Sequence, residues 1–214
     1  MLCHSGEVPK PADPAVRAAL IEHAAAMVVA REPVTLRALA ARAGTSTMGV
    51  YTHFGGMPGL WAAVRQEGFE RLAARLATVV TTDDPVRDLG ALAAAYTANA
   101  LDHPALYRLM FDAAADLPDP SVADGAFAAL VDGARRARDA GRLADVDPAD
   151  VATRIWAGGH GLVMLVLTDV LPRAALTTHG PALAVAVLIA AGDAPGRCEA
   201  SVRHGWRDGV VPSR

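Results

Sequence analysis

Residues 35–60, TLRALAARAGTSTMGVYTHFGGMPGL, decide how this chain is read. Thr35 offers a hydroxyl to cap a helix, and Leu36, Leu39, Ala40 and Ala43 then recur at helical spacing. Gly44 follows, where a chain leaving a helix often takes a left-handed residue. Ser46 caps a second, shorter helix that ends at Gly55-Gly56, and a third begins near Pro58. Two short helices joined by a glycine-containing turn predict a helix-turn-helix, whose second helix is shaped to enter a DNA major groove.

The string resembles the reading head of the TetR family of bacterial one-component transcription regulators. The resemblance is carried by Leu39-Ala40, Ala43-Gly44-Thr45-Ser46, Gly49-Val50-Tyr51, His53-Phe54 and Leu60, and it covers residues 14–76. It implies that Ser46, Thr47, Met48 and Gly49 open a recognition helix, with Gly49 letting the backbone come close and Met48 touching a thymine methyl. Arg37 matches a position that reaches a guanine or a phosphate. Thr35, Tyr51 and His53 match phosphate-contacting positions, with packing of the small domain as the other reading of Tyr51 and His53. Met57 stands where many members carry a Lys. That departure predicts one phosphate contact fewer and a salt slope shallower by roughly one unit.

Composition fits a helical protein. The chain is 52% hydrophobic and rich in Ala and Leu, with few β-branched runs, which predicts an all-α fold of about nine helices. A net charge of −3 looks unpromising for a DNA binder until it is divided. Residues 1–80 hold eight Lys/Arg against six Asp/Glu, and residues 81–214 hold twelve against seventeen, so a mildly basic head precedes an acidic body. Cys3 and Cys198 form no CxxC pair, which argues against a zinc site or disulfide framework. The opening residues lack the apolar core of a signal peptide, and Ile155 to Leu167 is too short to span a bilayer, so a cytoplasmic protein without membrane contact is expected.

The expected organisation is a disordered arm at 1–13, a DNA-binding domain at 14–80 that includes a long connector helix, a second domain at 81–191 and a disordered tail at 192–214, with local docking of Trp206 as the other reading of that tail. The first helix should start at Pro14 with Asp13 as its cap. Thr81 to Pro85 reads as a stop and restart. Five further helices are expected from Pro85, Pro104, Pro120, Pro148 and Pro181, most of them opening with Pro after a polar residue.

In the second domain Trp156-Ala157-Gly158-Gly159-His160-Gly161 resembles the WHG-type C-terminal domain of one TetR branch. Trp156 and His160 are four apart and share a helix face. Together with Met164 they are candidates to line an effector pocket with Tyr96, Asn99, His103, Tyr107, Met110, Phe111 and Phe127; the alternative is that Trp156 and His160 complete the core. His103, His160 and His179 have no tight ligand spacing, so neither metal nor cofactor is expected. The resemblance also implies a dimer made by the last two helices, with Leu162, Leu165, Val166, Leu183, Val187 and Leu188 as candidates for its interface.

The leading expectation is therefore a homodimeric, ligand-responsive regulator, a repressor by preference. It would bind a palindromic double-stranded operator and be released by a small hydrophobic effector. A DNA-binding dimer without sensing, acting as activator or architectural factor, is the alternative. No GxSxG, HExxH or P-loop string supports an enzyme.

Overall fold

The computed structural model describes residues 13–111 and 116–210, and every regular element among them is an α-helix. The first four are α1 (Pro14–Val29), α2 (Leu36–Arg42), α3 (Thr47–Phe54) and α4 (Met57–Leu76). The other six are α5 (Pro85–Asp102), α6 (Pro104–Met110), α7 (Ser121–Asp139), α8 (Pro148–Leu167), α9 (Ala174–Ala190) and α10 (Pro195–Val210). The expected arm, with Cys3 and Lys10, lies outside the described residues apart from Asp13, as do the last four residues.

The helix starts follow local rules. The Asp13 carboxylate accepts from the Ala15 amide at 2.9 Å, the Thr35 hydroxyl from Ala38 at 3.2 Å and the Ser46 hydroxyl from Gly49 at 3.2 Å. Gly44 and Gly55 take the left-handed backbone at φ 65° and 69°, closing the ends of α2 and α3.

Two expectations need correction. The fifth helix of the body begins at Ala174, well before Pro181, which sits inside α9. Proline removes one amide donor and so reads from sequence as a start, although a helix already under way can carry it. The segment 192–214 is the larger correction, because α10 occupies it through Val210. Cys198, Ser201, Val202, Gly205, Trp206 and Gly209 recur three or four apart and are buried. Gly205 and Gly209 carry that docking: a Cβ on either would collide with the α5 backbone at Arg87 and Ala91, so the two helices meet backbone to backbone. A Gly- and Arg-rich stretch resembles a tail in composition, while its four-residue period is that of a packed helix.

A buried ionic cluster fastens this strap. The Arg142 guanidinium donates to both Asp193 oxygens at 2.9 and 2.7 Å and to Asp84 at 2.7 Å, and Ser201 donates to Asp84 at 2.5 Å. The Arg142 and Asp193 side chains are 1% and 2% exposed. The start of α5, the loop after α7, the turn before α10 and α10 itself are thereby held at one point.

The interior divides into two cores. Leu20, Ile21, Leu39, Val50, Leu60 and Val64 form the smaller, between α1 and α4. The larger gathers α4 to α10. The change of core falls inside α4, whose Val64 belongs to the first and Phe69, Leu72 and Leu76 to the second. A second crossing runs through α6, where Leu106 enters the small core while Tyr107 and Met110 enter the large one.

Candidate functional site

On the outer side of α2 and α3 the helix-turn-helix presents polar and soft side chains to solvent. Thr35, Arg37, Ser46, Thr47 and Thr52 are exposed, Met48 is 69% exposed and Tyr51 50%, while Gly49 and His53 are half-buried. Leu39 and Val50 on the inner sides are fully buried, so each helix is anchored by one face and free on the other. Phe54 packs against the core beneath them, and the Arg17 guanidinium lies over its ring at 5.7 Å. Thr52, whose hydroxyl donates to the Met48 carbonyl at 2.9 Å, joins this surface without having been anticipated. Met57 is half-buried and packs against the small core, so the position that lacks a cation serves the head's packing.

At the seam between head and body, Arg71 on α4 pairs with Glu22 on α1 and with Glu67 at 2.8 Å. It also meets the His103 Nδ1 at 3.2 Å, at the junction of α5 and α6. Next to it Arg75 pairs with Asp102 at 3.3 Å. Arg65 donates through Nε to the Met110 carbonyl at 3.0 Å, joining α4 to the end of α6. A Cβ on Gly68 would stand 2.7 Å from that of Met110, so α4 and α6 are pressed together here.

Behind this seam lies a cavity of about 370 Å³ between α4, α5, α7, α8, α9 and α10. Its volume falls in the ordinary range of small-molecule sites, and so does its mostly apolar lining. Four of the ten expected pocket residues line it: Tyr96, Phe111, Phe127 and Trp156. The other six do not. Tyr107 and Met110 are fully buried in the core, Asn99 is buried within α5, and His103 belongs to the seam. Met164 packs against the core outside the cavity, and His160 stands behind Tyr96. The lining that sequence reasoning missed is largely aliphatic: Leu72, Leu76, Leu92, Leu130 and Leu162, with Trp206 from α10. The one usable signal was the stripe of Phe69, Leu72 and Leu76, which continues past the last head contact of α4.

The polar groups behind the wall form a chain. Trp156 Nε1 donates to the Tyr96 hydroxyl at 3.2 Å, Tyr96 and Tyr107 share a 2.6 Å hydrogen bond, and Tyr107 lies 2.8 Å from His160 Nδ1. Burial holds His160 below its ordinary pKa, favouring the neutral imidazole. Burial likewise pushes the Tyr96 phenol up to about 12. With the His160 proton on Nε2, the donors run in one direction from Trp156 through Tyr96 and Tyr107 to Nδ1. His160 is half-buried and hydrogen-bonded, and it stands behind a wall residue of the cavity without lining it.

The outer face of α8 and α9 is apolar. Leu165 and Leu183 are 43% and 39% exposed, Val187 is half-buried, and a Cβ on the exposed Gly161 would meet nothing within 4 Å. Of the residues expected at an interface, Leu162, Val166 and Leu188 are instead buried within the chain itself, because they sit on the inner faces of these two helices. Among the described residues no helix is long and apolar enough to cross a membrane, and no cluster of three metal-ligating side chains occurs.

Residues 89–190 match the family model described as the tetracyclin repressor-like C-terminal domain. No curated protein matches the sequence. Among solved structures, a protein of unknown function from Rhodococcus sp. RHA1 is 25% identical with a TM-score of 0.70, over 87% of this chain and 100% of that one. The TetR-family regulator PfmR from Thermus thermophilus is 18% identical with a TM-score of 0.68, over 79% and 97%. SmeT, the repressor of the Stenotrophomonas maltophilia multidrug efflux pump SmeDEF, is 25% identical with a TM-score of 0.60, over 81% and 89%.

Proposed function

The chain belongs to the TetR family, by its C-terminal domain and by the fold of the whole, and on that premise we propose a homodimeric repressor that leaves its operator when a small hydrophobic effector enters the cavity. The observation that carries this reading is the double membership of α4. Leu60 and Val64 build the core beneath the recognition helix, and Phe69, Leu72 and Leu76 line the cavity. A ligand that moves the second half of α4 therefore moves the base of the head, and α6 offers a parallel route through Phe111 and Leu106. The coupling required is of ordinary size, about 1–3 kcal/mol between the two conformations. SmeT, 26% identical, forms a complex with triclosan, and a hydrophobic effector of that kind suits the apolar lining.

In the dimer, the apolar face of Leu165 and Leu183 meets its own copy about a two-fold axis. That symmetry sets two recognition helices one DNA turn apart, about 34–36 Å, and calls for a palindromic site. Arg37, Thr47, Met48 and Tyr51 touch the DNA from the exposed side of the head. The alternative without sensing finds less support, because a body that only dimerised would not need the cavity.

Selection of bound sequences from a random DNA library, followed by footprinting, tests the proposal. Two inverted half-sites about one turn apart are expected. Enrichment of a single half-site contradicts the dimer, and no enrichment at low salt contradicts the reading head.

A further inference from the structure

Resting on the reading of the cavity as an effector site, we propose that the effector is an apolar molecule carrying a carbonyl-type hydrogen-bond acceptor. The indole N–H of Trp206 is the donor that recognises it.

Two tryptophans line the cavity, Trp156 from α8 and Trp206 from α10, and each brings one donor and no acceptor. The fold treats them differently. Trp156 Nε1 donates to the Tyr96 hydroxyl at 3.2 Å, so its proton is spent inside the wall. Trp206 is only 9% exposed, and its Nε1 is buried without a hydrogen-bond partner. An N–H in that condition has given up its hydration with nothing in return. A phenylalanine ring would line the wall without stranding a donor. Because the indole belongs to the lining, an occupant packed against it is placed to supply the acceptor.

The ring is held for that purpose. A Cβ on Gly180 would collide with the indole, and the three nearest atoms all belong to its six-membered half. The five-membered half, which carries Nε1, is therefore not the part pressed on α9. Gly205, the preceding residue, meets the α5 backbone at Arg87 and Ala91, which fixes the stretch of α10 that bears the ring. A donor fixed before the ligand arrives forms its hydrogen bond with little further ordering.

The rest of the lining explains the ligand's other features. Tyr96 already lies among Trp156, Tyr107 and His160. The Thr97 hydroxyl donates to the Ala93 carbonyl at 2.9 Å, and Asp124 is exposed in the first turn of α7. Arg65, which donates to the Met110 carbonyl at 3.0 Å, is a donor only. What this wall lacks is an acceptor. A carbonyl oxygen supplies one without adding a donor of its own that would need a partner. The leucines of the wall, Leu72, Leu92, Leu130 and Leu162, call for an apolar body around it.

The test is calorimetric titration of the full-length protein with butyrophenone, benzyl ethyl ketone and benzylacetone, which move one carbonyl along the same carbon skeleton. Butylbenzene, the skeleton without an acceptor, is the reference. For the tightest ketone, the affinity ratio of ketone to butylbenzene should fall about fivefold in Trp206→Phe, equivalent to about 1 kcal/mol. The ratio cancels packing that the smaller ring loses for both ligands alike. Trp156→Phe, which removes an N–H already spent, should leave the ratio unchanged; thermal melts check that both variants fold. In the wild-type protein the Trp206 indole N–H proton resonance should move downfield with the ketone and not with butylbenzene. A ratio that holds in Trp206→Phe, or that falls in Trp156→Phe instead, overturns the assignment of the donor. Equal shifts of the resonance with both ligands overturn the hydrogen bond, and no binding by any of the four compounds overturns the ligand class. The sensor reading fails separately, if ketones that bind leave operator affinity unchanged.

Discussion

In the head, Arg37, Thr47, Met48 and Tyr51 face solvent while Leu20, Leu39, Val50 and Leu60 close a small interior completely. In the body, Phe69, Leu72, Leu92 and Leu130 stand around about 370 Å³ of cavity. Leucines, valines and alanines fill both interiors, so the difference lies in packing, not composition. A reading head needs one fixed spacing of its contact residues, and a tightly packed core supplies it. A sensing body needs contacts still to be made, so its interior is left incomplete and its stability is gathered elsewhere. The cluster of Arg142, Asp193, Asp84 and Ser201, with the close approach of α10 to α5, is where this body gathers it.

The sharpest way to break the contrast is to remove that fastening. Arg142→Ala leaves Asp193 buried without its partner and should cost about 3–5 kcal/mol in urea unfolding. A loss below about 1 kcal/mol, the level of a surface ion pair, would show that the body does not depend on the cluster. Filling the cavity should erase the difference from the other side. Ala93→Phe places a ring into the wall beside Tyr96 and should weaken effector binding a hundredfold, about 2.7 kcal/mol, while operator affinity holds. Calorimetry and a DNA shift assay on the same variant separate the two effects.

Arg37→Ala should do the converse, lowering operator affinity by about 1–3 kcal/mol without touching effector binding. The smallest effect is electrostatic and confined to the body. Burial depresses the native pKa of His160, so the stability it lends is full above about pH 6.5, the unfolded value. It is lost as the pH falls through the lower native value. His160→Gln should flatten part of the fall in melting temperature between pH 7.5 and 5.5. His103, also lowered by burial and by Arg71, retains its own share.

The same contrast explains what could be read without coordinates. The caps at Asp13, Thr35 and Ser46 and the left-handed turns at Gly44 and Gly55 obey rules that act over three or four residues, so the head was legible almost position by position. The all-α class followed from periodicity. The cavity obeys no local rule. Leu72 and Leu20 lie on equally regular apolar stripes, yet one borders the cavity and the other a closed core, and only the arrangement of the other helices decides which. Choosing pocket residues for their chemistry favoured His103, Asn99 and Tyr107, which the fold uses for seam and core, and passed over Leu92 and Trp206. The close contact of α10 with α5 was hidden for a related reason: glycines at four-residue spacing signal disorder by composition and close approach by position.

The central claim is that the body's cavity controls the head, and operator binding measured against effector concentration tests it most directly. Wild-type protein and Ala93→Phe would be titrated, while bound to the selected operator, with a small hydrophobic compound that calorimetry shows to occupy the wild-type cavity. The account predicts release of the wild-type protein and no release of the filled variant at the same concentrations. Release of both, or of neither while calorimetry shows the wild-type cavity occupied, would contradict it.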